Sequence, residues 1–191
     1  MSSKTISQDL FGDKRIGFFI YLFVEVVMFS TLFATYIIYT PPQTGPHPGE
    51  LFEWKTTILA SIFLLSSSGT LLLSEKGLNN RNMKLVRAGI GLTFLLGAAF
   101  MYFEIEEFRK FIMEGHVIST NNFLSSYYVL VGLHASHVTF GLGWMIILFI
   151  QGRVLPFNLF KEKHKIFNYY WHFVDVIWVI ILLVVYIPYL L

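Results

Sequence analysis

Five apolar stretches divide the chain, each near or above the roughly 20 residues that a helix needs to cross a ~30 Å hydrocarbon core. Hydrocarbon offers the backbone no water to bond. Only helices and closed barrels can span it, and runs this long and continuous are helices. The sequence therefore predicts an all-α integral membrane domain over residues 16–191, with transmembrane helices at about 16–39, 52–75, 86–108, 123–150 and 166–190. A polar, mixed-charge tail over residues 1–15 precedes it and lacks the order of a signal or transit peptide. Only 14% of the residues are charged and the mean hydropathy is +0.62, where a soluble domain averages about 25% charged. The net charge of +2 is too small to suggest nucleic acid. With no Cys, disulfides, thiolate metal sites and Cys nucleophiles are excluded.

Lysine and arginine set the orientation. Lys4, Lys14 and Arg15 lie in the tail, Lys76, Arg81, Lys84 and Arg87 between the second and third helices, and Arg153, Lys161, Lys163 and Lys165 between the fourth and fifth. All of these share one side, and only Lys55, Arg109 and Lys110 lie on the other. The positive-inside rule places the N-terminus in the cytoplasm and, after an odd number of spans, the C-terminus outside.

Small residues indicate close helix packing. The fourth helix carries Gly132, Ser136, Thr139 and Gly143, and the second carries "SSSG" at residues 66–69. "TPPQTGPHPGE", residues 40–50, reads as a tight loop. Glu104, Glu106 and Glu107 beside Arg109 and Lys110 read as a solvated, salt-bridged helix end, and His47, His116 and His164 as loop residues without a site.

Five polar side chains remain inside the apolar stretches. At 1.5 Å per residue, Glu25 lies about 13 Å from Ile16, and His172 and Asp175 lie about 9 and 13 Å from Ile166. His134 and His137 lie about 16 and 21 Å from Phe123, at the far end of their helix. All five share one layer in the inner half of the membrane. Ionisable groups there face the bundle interior and pair with one another. Three readings stand side by side. A metal or haem site would use His134, His137 and His172, resting on no more than the "HASH" spacing. A proton or ion relay through Glu25 and Asp175 would need a path across the membrane, and "VIILLVVYI" (179–187) offers none. A buried hydrogen-bonded network would fix helix register, and it would also hold lipid head groups or a partner subunit.

"YWHFVDVIW" (170–178) closely resembles the last-helix signature of subunit III of the haem-copper terminal oxidases. "GFFIYLFVEVVMFSTLFATY" (17–36) resembles that family's carboxylate-bearing helix, "LLGAAFMYFEIEEF" (95–108) its glutamate-rich helix end, and "NFLSSYYVLVGLHASHVTFGLGWM" (122–145) its His-xx-His helix. The blocks fall in the family order over nearly the whole chain. Five helices, where the mitochondrial form has seven, resemble the short bacterial form found in quinol oxidases and some cytochrome c oxidases.

The resemblance implies a non-catalytic subunit in the bacterial plasma membrane that supports stability, lipid binding and sustained proton uptake to subunit I. It implies that Glu25 is the family's carbodiimide-reactive carboxylate, with His134, His137, His172 and Asp175 as a supporting polar network. Arg15, Ser136 and Trp171 are candidate lipid or partner contacts. No catalytic residue, metal ligand, haem or copper is expected on this chain. Haems and copper belong to subunit I, with further copper in subunit II of cytochrome c oxidases, and phospholipid occupies a V-shaped cleft. Subunits I and II and a small fourth subunit are the expected partners. "HASH" stands where "HGLH" or "HGTH" is commoner, and Ser136 adds a hydroxyl. Two alternatives are an accessory protein of a nitric oxide reductase system and a free-standing transporter.

Overall fold

The computed structural model describes residues 3–42, 52 and 54–190. Among these residues the chain is all helical: α1 (Ser3–Ile38), α2 (Trp54–Asn79), α3 (Met83–Met113), α4 (Asn122–Val154) and α5 (Phe157–Ile181). The last continues through a π-helical stretch, Leu182–Tyr186, into a final turn, α6 (Ile187–Leu190). Five helical spans are long and apolar enough to cross a membrane. Ile20, Phe23, Leu95 and Ile150 are exposed on the outside of the bundle, as a surface solvated by lipid requires. The loop expected over residues 40–50, with His47, lies largely outside the described residues.

Helices run past the apolar stretches that mark them. α1 is helical from Ser3, through the segment read as a tail. α5 begins at Phe157, directly after Pro156, well before the expected Ile166. Hydropathy marks only the part of a helix that lies in hydrocarbon, while backbone hydrogen bonds continue into water. His164 is therefore no loop residue: it is buried in α5, with Nε2 at 2.7 Å from Ser74 Oγ. Pro188 accounts for the π-helical stretch. Having no N–H, it cannot bond to the carbonyl four residues back, and the backbone widens so that the Ile187 N–H reaches Leu182 O.

α2 and α3 form the tightest pair, an antiparallel hairpin. Asn82 caps α3, its side chain accepting from the N–H groups of Lys84 and Leu85 at 3.1 and 3.3 Å. A Cβ on Gly89 would lie 2.6 Å from the Ser74 backbone nitrogen, so glycine permits the close approach.

A ladder of polar contacts joins α2 to α5. His164 meets Ser74, Trp171 Nε1–H donates to Ser67 Oγ at 2.9 Å, and Trp178 Nε1–H donates to Ser61 Oγ at 3.1 Å. The three rings stand seven residues apart on α5, so they share one face. Trp171 is wedged between α3 and α4, where Cβ atoms on Gly97 and Gly141 would lie 3.1 and 2.6 Å from its ring.

Candidate functional site

The intramembrane polar residues do not form one continuous network. They separate into two groups and one isolated ring. The first group ties α1 to α4: Glu25 Oε2 lies 3.2 Å from His137 Nε2. His137 Nδ1 lies 2.8 Å from Leu133 O. A carbonyl only accepts, so Nδ1 carries a proton, and Nε2 of a neutral ring is left as an acceptor. The contact with Glu25 then needs one further proton, on the carboxyl or on the imidazole. Either way the pair is neutral overall, which suits a site in hydrocarbon. Phe29 and Tyr170 pack on the His137 ring at 5.3 and 6.5 Å, and the Tyr170 hydroxyl donates to His137 O at 2.9 Å. Three helices meet here.

The second group lies on the α2–α5 seam. Ser68 Oγ donates to Asp175 Oδ2, and His172 Nδ1 lies 3.2 Å from Ser68 Oγ. His172 and Asp175 stand 3.9 Å apart, and Asp175 Oδ1 is buried without a partner. Toward the basic end of the bundle, Asn168 Nδ2 donates to Glu75 Oε2 at 3.3 Å. Farther along, Arg15 pairs with Glu162, and Lys165 lies 3.3 Å from the same carboxylate.

His134 meets neither group, although it stands three residues from His137. Its ring is fully buried, stacked on Trp178 at 5.3 Å and edge-on to Phe100 at 6.0 Å. Neither ring nitrogen has a hydrogen-bond partner. Three residues advance a helix by about 300°, not a full turn, which sends His137 toward α1 and His134 into the core. Among the described residues no group of three or more His, Asp or Glu side chains is placed to hold a metal ion.

Of the three candidate contact residues, Arg15 and Ser136 reach the surface, whereas Trp171 is completely buried on Ser67. Ser67, Ser68, Ser74 and Ser61 went unrecognised as partners in the sequence. The signal was the serine run on α2 facing heptad-spaced rings on α5.

The glutamate-rich end of α3 differs from the expected solvated surface. Glu106 does pair with Arg109, at 3.5 Å and exposed. Glu104 instead is 2% exposed, with one carboxyl oxygen unpartnered. Glu107 Oε1 lies 3.4 Å from the hydroxyls of both Tyr127 and Tyr186, which are themselves 3.0 Å apart. On a helix packed by two neighbours, glutamates one turn apart can face inward, and charge alone does not disclose which do.

The family model described as Cytochrome c oxidase subunit III matches residues 7–189 of this sequence. The chain belongs to that family. It is 40% identical to cytochrome c oxidase subunit 3 of Bacillus sp. (strain PS3), over 91% of this chain and 85% of the relative. It is 38% identical to quinol oxidase subunit 3 of Bacillus subtilis (strain 168), over 90% of this chain and 85% of the relative. To cytochrome bo(3) ubiquinol oxidase subunit 3 of Pseudomonas aeruginosa it is 36% identical, over 94% of this chain and 87% of the relative. The subunit is thus a multi-pass plasma-membrane component of a terminal oxidase. The nitric oxide reductase and transporter readings are not favoured by these relatives. Relatives named for cytochrome c and for quinol are similar at nearly the same level, so identity does not sort the electron donors.

Proposed function

We propose that this chain is the non-catalytic subunit III of a proton-pumping haem-copper oxidase, with its N-terminus in the cytoplasm and its C-terminus outside. Subunit I carries the haems and the dioxygen-reducing copper, and subunit II carries further copper if cytochrome c is the donor. A small fourth subunit and phospholipid complete the assembly. Here the polar residues act as ties between helices. The Glu25–His137 contact at 3.2 Å carries this reading, because it spends an intramembrane carboxylate and a histidine on each other. Glu25–His137 fastens α1 to α4, and Ser68–Asp175–His172 fastens α2 to α5. By fixing the helices, these ties support stability and sustained proton uptake by subunit I.

Purification through a tag on this chain tests the reading. The expected product shows low-spin and high-spin haem spectra, consumes oxygen, and accepts electrons from either quinol or cytochrome c. A complex stripped of this chain should start at the normal rate and lose activity over many turnovers. Zero activity from the first turnover, with haem content intact, would place catalysis on this chain and reject the proposal.

A further inference from the structure

We propose that the outer ends of α3, α4 and α5 form a proton-operated latch, in which Glu104 holds a proton that it exchanges with outside water through Glu107. The outer side is that of the proposed orientation, and the latch rests on that reading. Glu104 and Glu107 stand three residues apart on α3, a spacing that brings side chains to within about 5–6 Å of each other at Cβ. They differ in cover. Glu104 is buried, whereas Glu107 is partly exposed and reaches the surface. Tyr127 of α4 and Tyr186 of the π-helical stretch are fully buried. Their hydroxyls lie 3.0 Å apart, and each is 3.4 Å from Glu107 Oε1. Phe52, which precedes α2, covers the group, its ring 4.7 Å from that of Tyr186 and 5.4 Å from that of Tyr127. Three helix ends thus converge on one carboxyl that meets water and one that does not.

The hydrogen bonds locate the proton. Each phenol has one proton to donate. Those two protons serve the three contacts among the hydroxyls and Glu107 Oε1, so at least one goes to Glu107 and none remains for Glu104. Glu104 Oε2 is buried without a partner. An anion there would be desolvated, unbonded and one turn from a second carboxylate, and all three effects oppose the charge. A proton on Glu104 removes the charge that they oppose. The other charged groups at this end have contacts of their own. Arg109 pairs with Glu106 at 3.5 Å, Lys110 reaches Glu114 at 3.9 Å, and Lys55 of α2 lies 5.5 Å over the Trp54 ring. From α1, the Tyr36 hydroxyl donates to Val185 O at 3.5 Å. His134, deeper on α4, faces Trp178 and Phe100. Loss of the Glu104 proton leaves two like charges one turn apart in a covered site. Relief requires water, and water reaches Glu104 when α3 parts from Tyr127 and Tyr186. Low outside pH therefore closes this end of the bundle, and high outside pH opens it. A proton-pumping oxidase acidifies the outside, so its own output tightens the latch.

The test uses the intact complex in liposomes, with outside and inside pH set separately. It reads amide hydrogen exchange over residues 104–113 of α3, corrected for the intrinsic pH dependence of exchange. The closed site binds one proton that the opened, hydrated carboxyl gives up, so the opening constant should rise about tenfold per unit of outside pH. Inside pH should have no effect. Glu104→Gln has no proton to lose and should show no slope. Glu106→Gln, which replaces an exposed carboxylate paired with Arg109, should keep the full slope. A slope that persists in Glu104→Gln would overturn the latch. So would wild-type exchange that ignores outside pH, a result that stands even where Glu104→Gln does not assemble. A slope abolished by EDTA would put a metal ion where the proton is assigned and would overturn it too. A response to inside pH alone would overturn the outward placement. The haem content of the same preparation tests the oxidase reading separately: a haem-free preparation that keeps the outside-pH slope rejects that reading and supports the latch.

Discussion

At Glu25 the geometry sets two substitutions apart. His137 gives its Nδ1–H to Leu133 O, so its Nε2 accepts whenever the ring is neutral. Glu25→Gln can donate an amide N–H there and keep the tie between α1 and α4. Oxygen reduction by the complex should stay within about twofold at first, because a hydrogen bond replaces a hydrogen bond. Glu25→Ala leaves a largely covered ring nitrogen without its partner, which costs about 1 kcal/mol. Subunit retention during a detergent melt should fall, while the initial rate should not. Oxygen consumption followed over many turnovers checks both, and an inactive Glu25→Gln enzyme at turnover one would refute the tie. The residue types were legible in the sequence, since two carboxylates and three histidines inside apolar helices are hard to miss. Which of them pair was not legible. His134 and His137 are separated by three residues yet face the core and α1 respectively, a distinction that depends on which neighbours pack against α4.

The helices themselves are held by small residues as much as by polar ones. Gly89 and Gly91 stand two residues apart on α3 and make opposite predictions. A methyl on Gly89 would lie 2.6 Å from the Ser74 backbone, whereas one on Gly91 would meet nothing. Gly89→Ala should force α2 and α3 apart and destabilise by about 1–3 kcal/mol, as overpacking does. Gly91→Ala should be neutral or slightly stabilising, because alanine favours a helix by up to about 1 kcal/mol over glycine. Thermal unfolding of the solubilised complex separates the two, and equal effects would reject the close approach as the reason. The sequence marks both positions only as glycines in an apolar run. Their different roles follow from the α2–α3 contact, which places Gly89 on Ser74 and leaves Gly91 facing outward.

For the whole molecule, the proposed orientation rests on the charge asymmetry of the loops. With no native cysteine, one cysteine added after Leu191 reports its side of the membrane without background. Labelling by an impermeant maleimide should occur from outside intact cells, and labelling from the cytoplasm alone would reject the five-span orientation. Span number and fold class came directly from hydropathy, because a bilayer of fixed thickness demands long apolar helices whatever their neighbours. The family was legible too, from the order of the blocks around Glu25, His134, His137, His172 and Asp175. Helix limits were less so: α5 reaches back to Phe157 and takes in His164, since an amphipathic helix end carries no hydropathy signal. Glu104 was read as solvated and is buried, because burial depends on the helices that cover it. The sequence by itself determined the number of spans, the all-α class and the family, since each rests on local composition or on residue order. Only the tertiary structure decided the partners: Glu25 with His137, Ser68 with Asp175, and the serine ladder with Trp171 and Trp178. Those contacts join residues 104 to 117 positions apart, and rotation of each helix about its own axis, set by packing, determines which side chains meet.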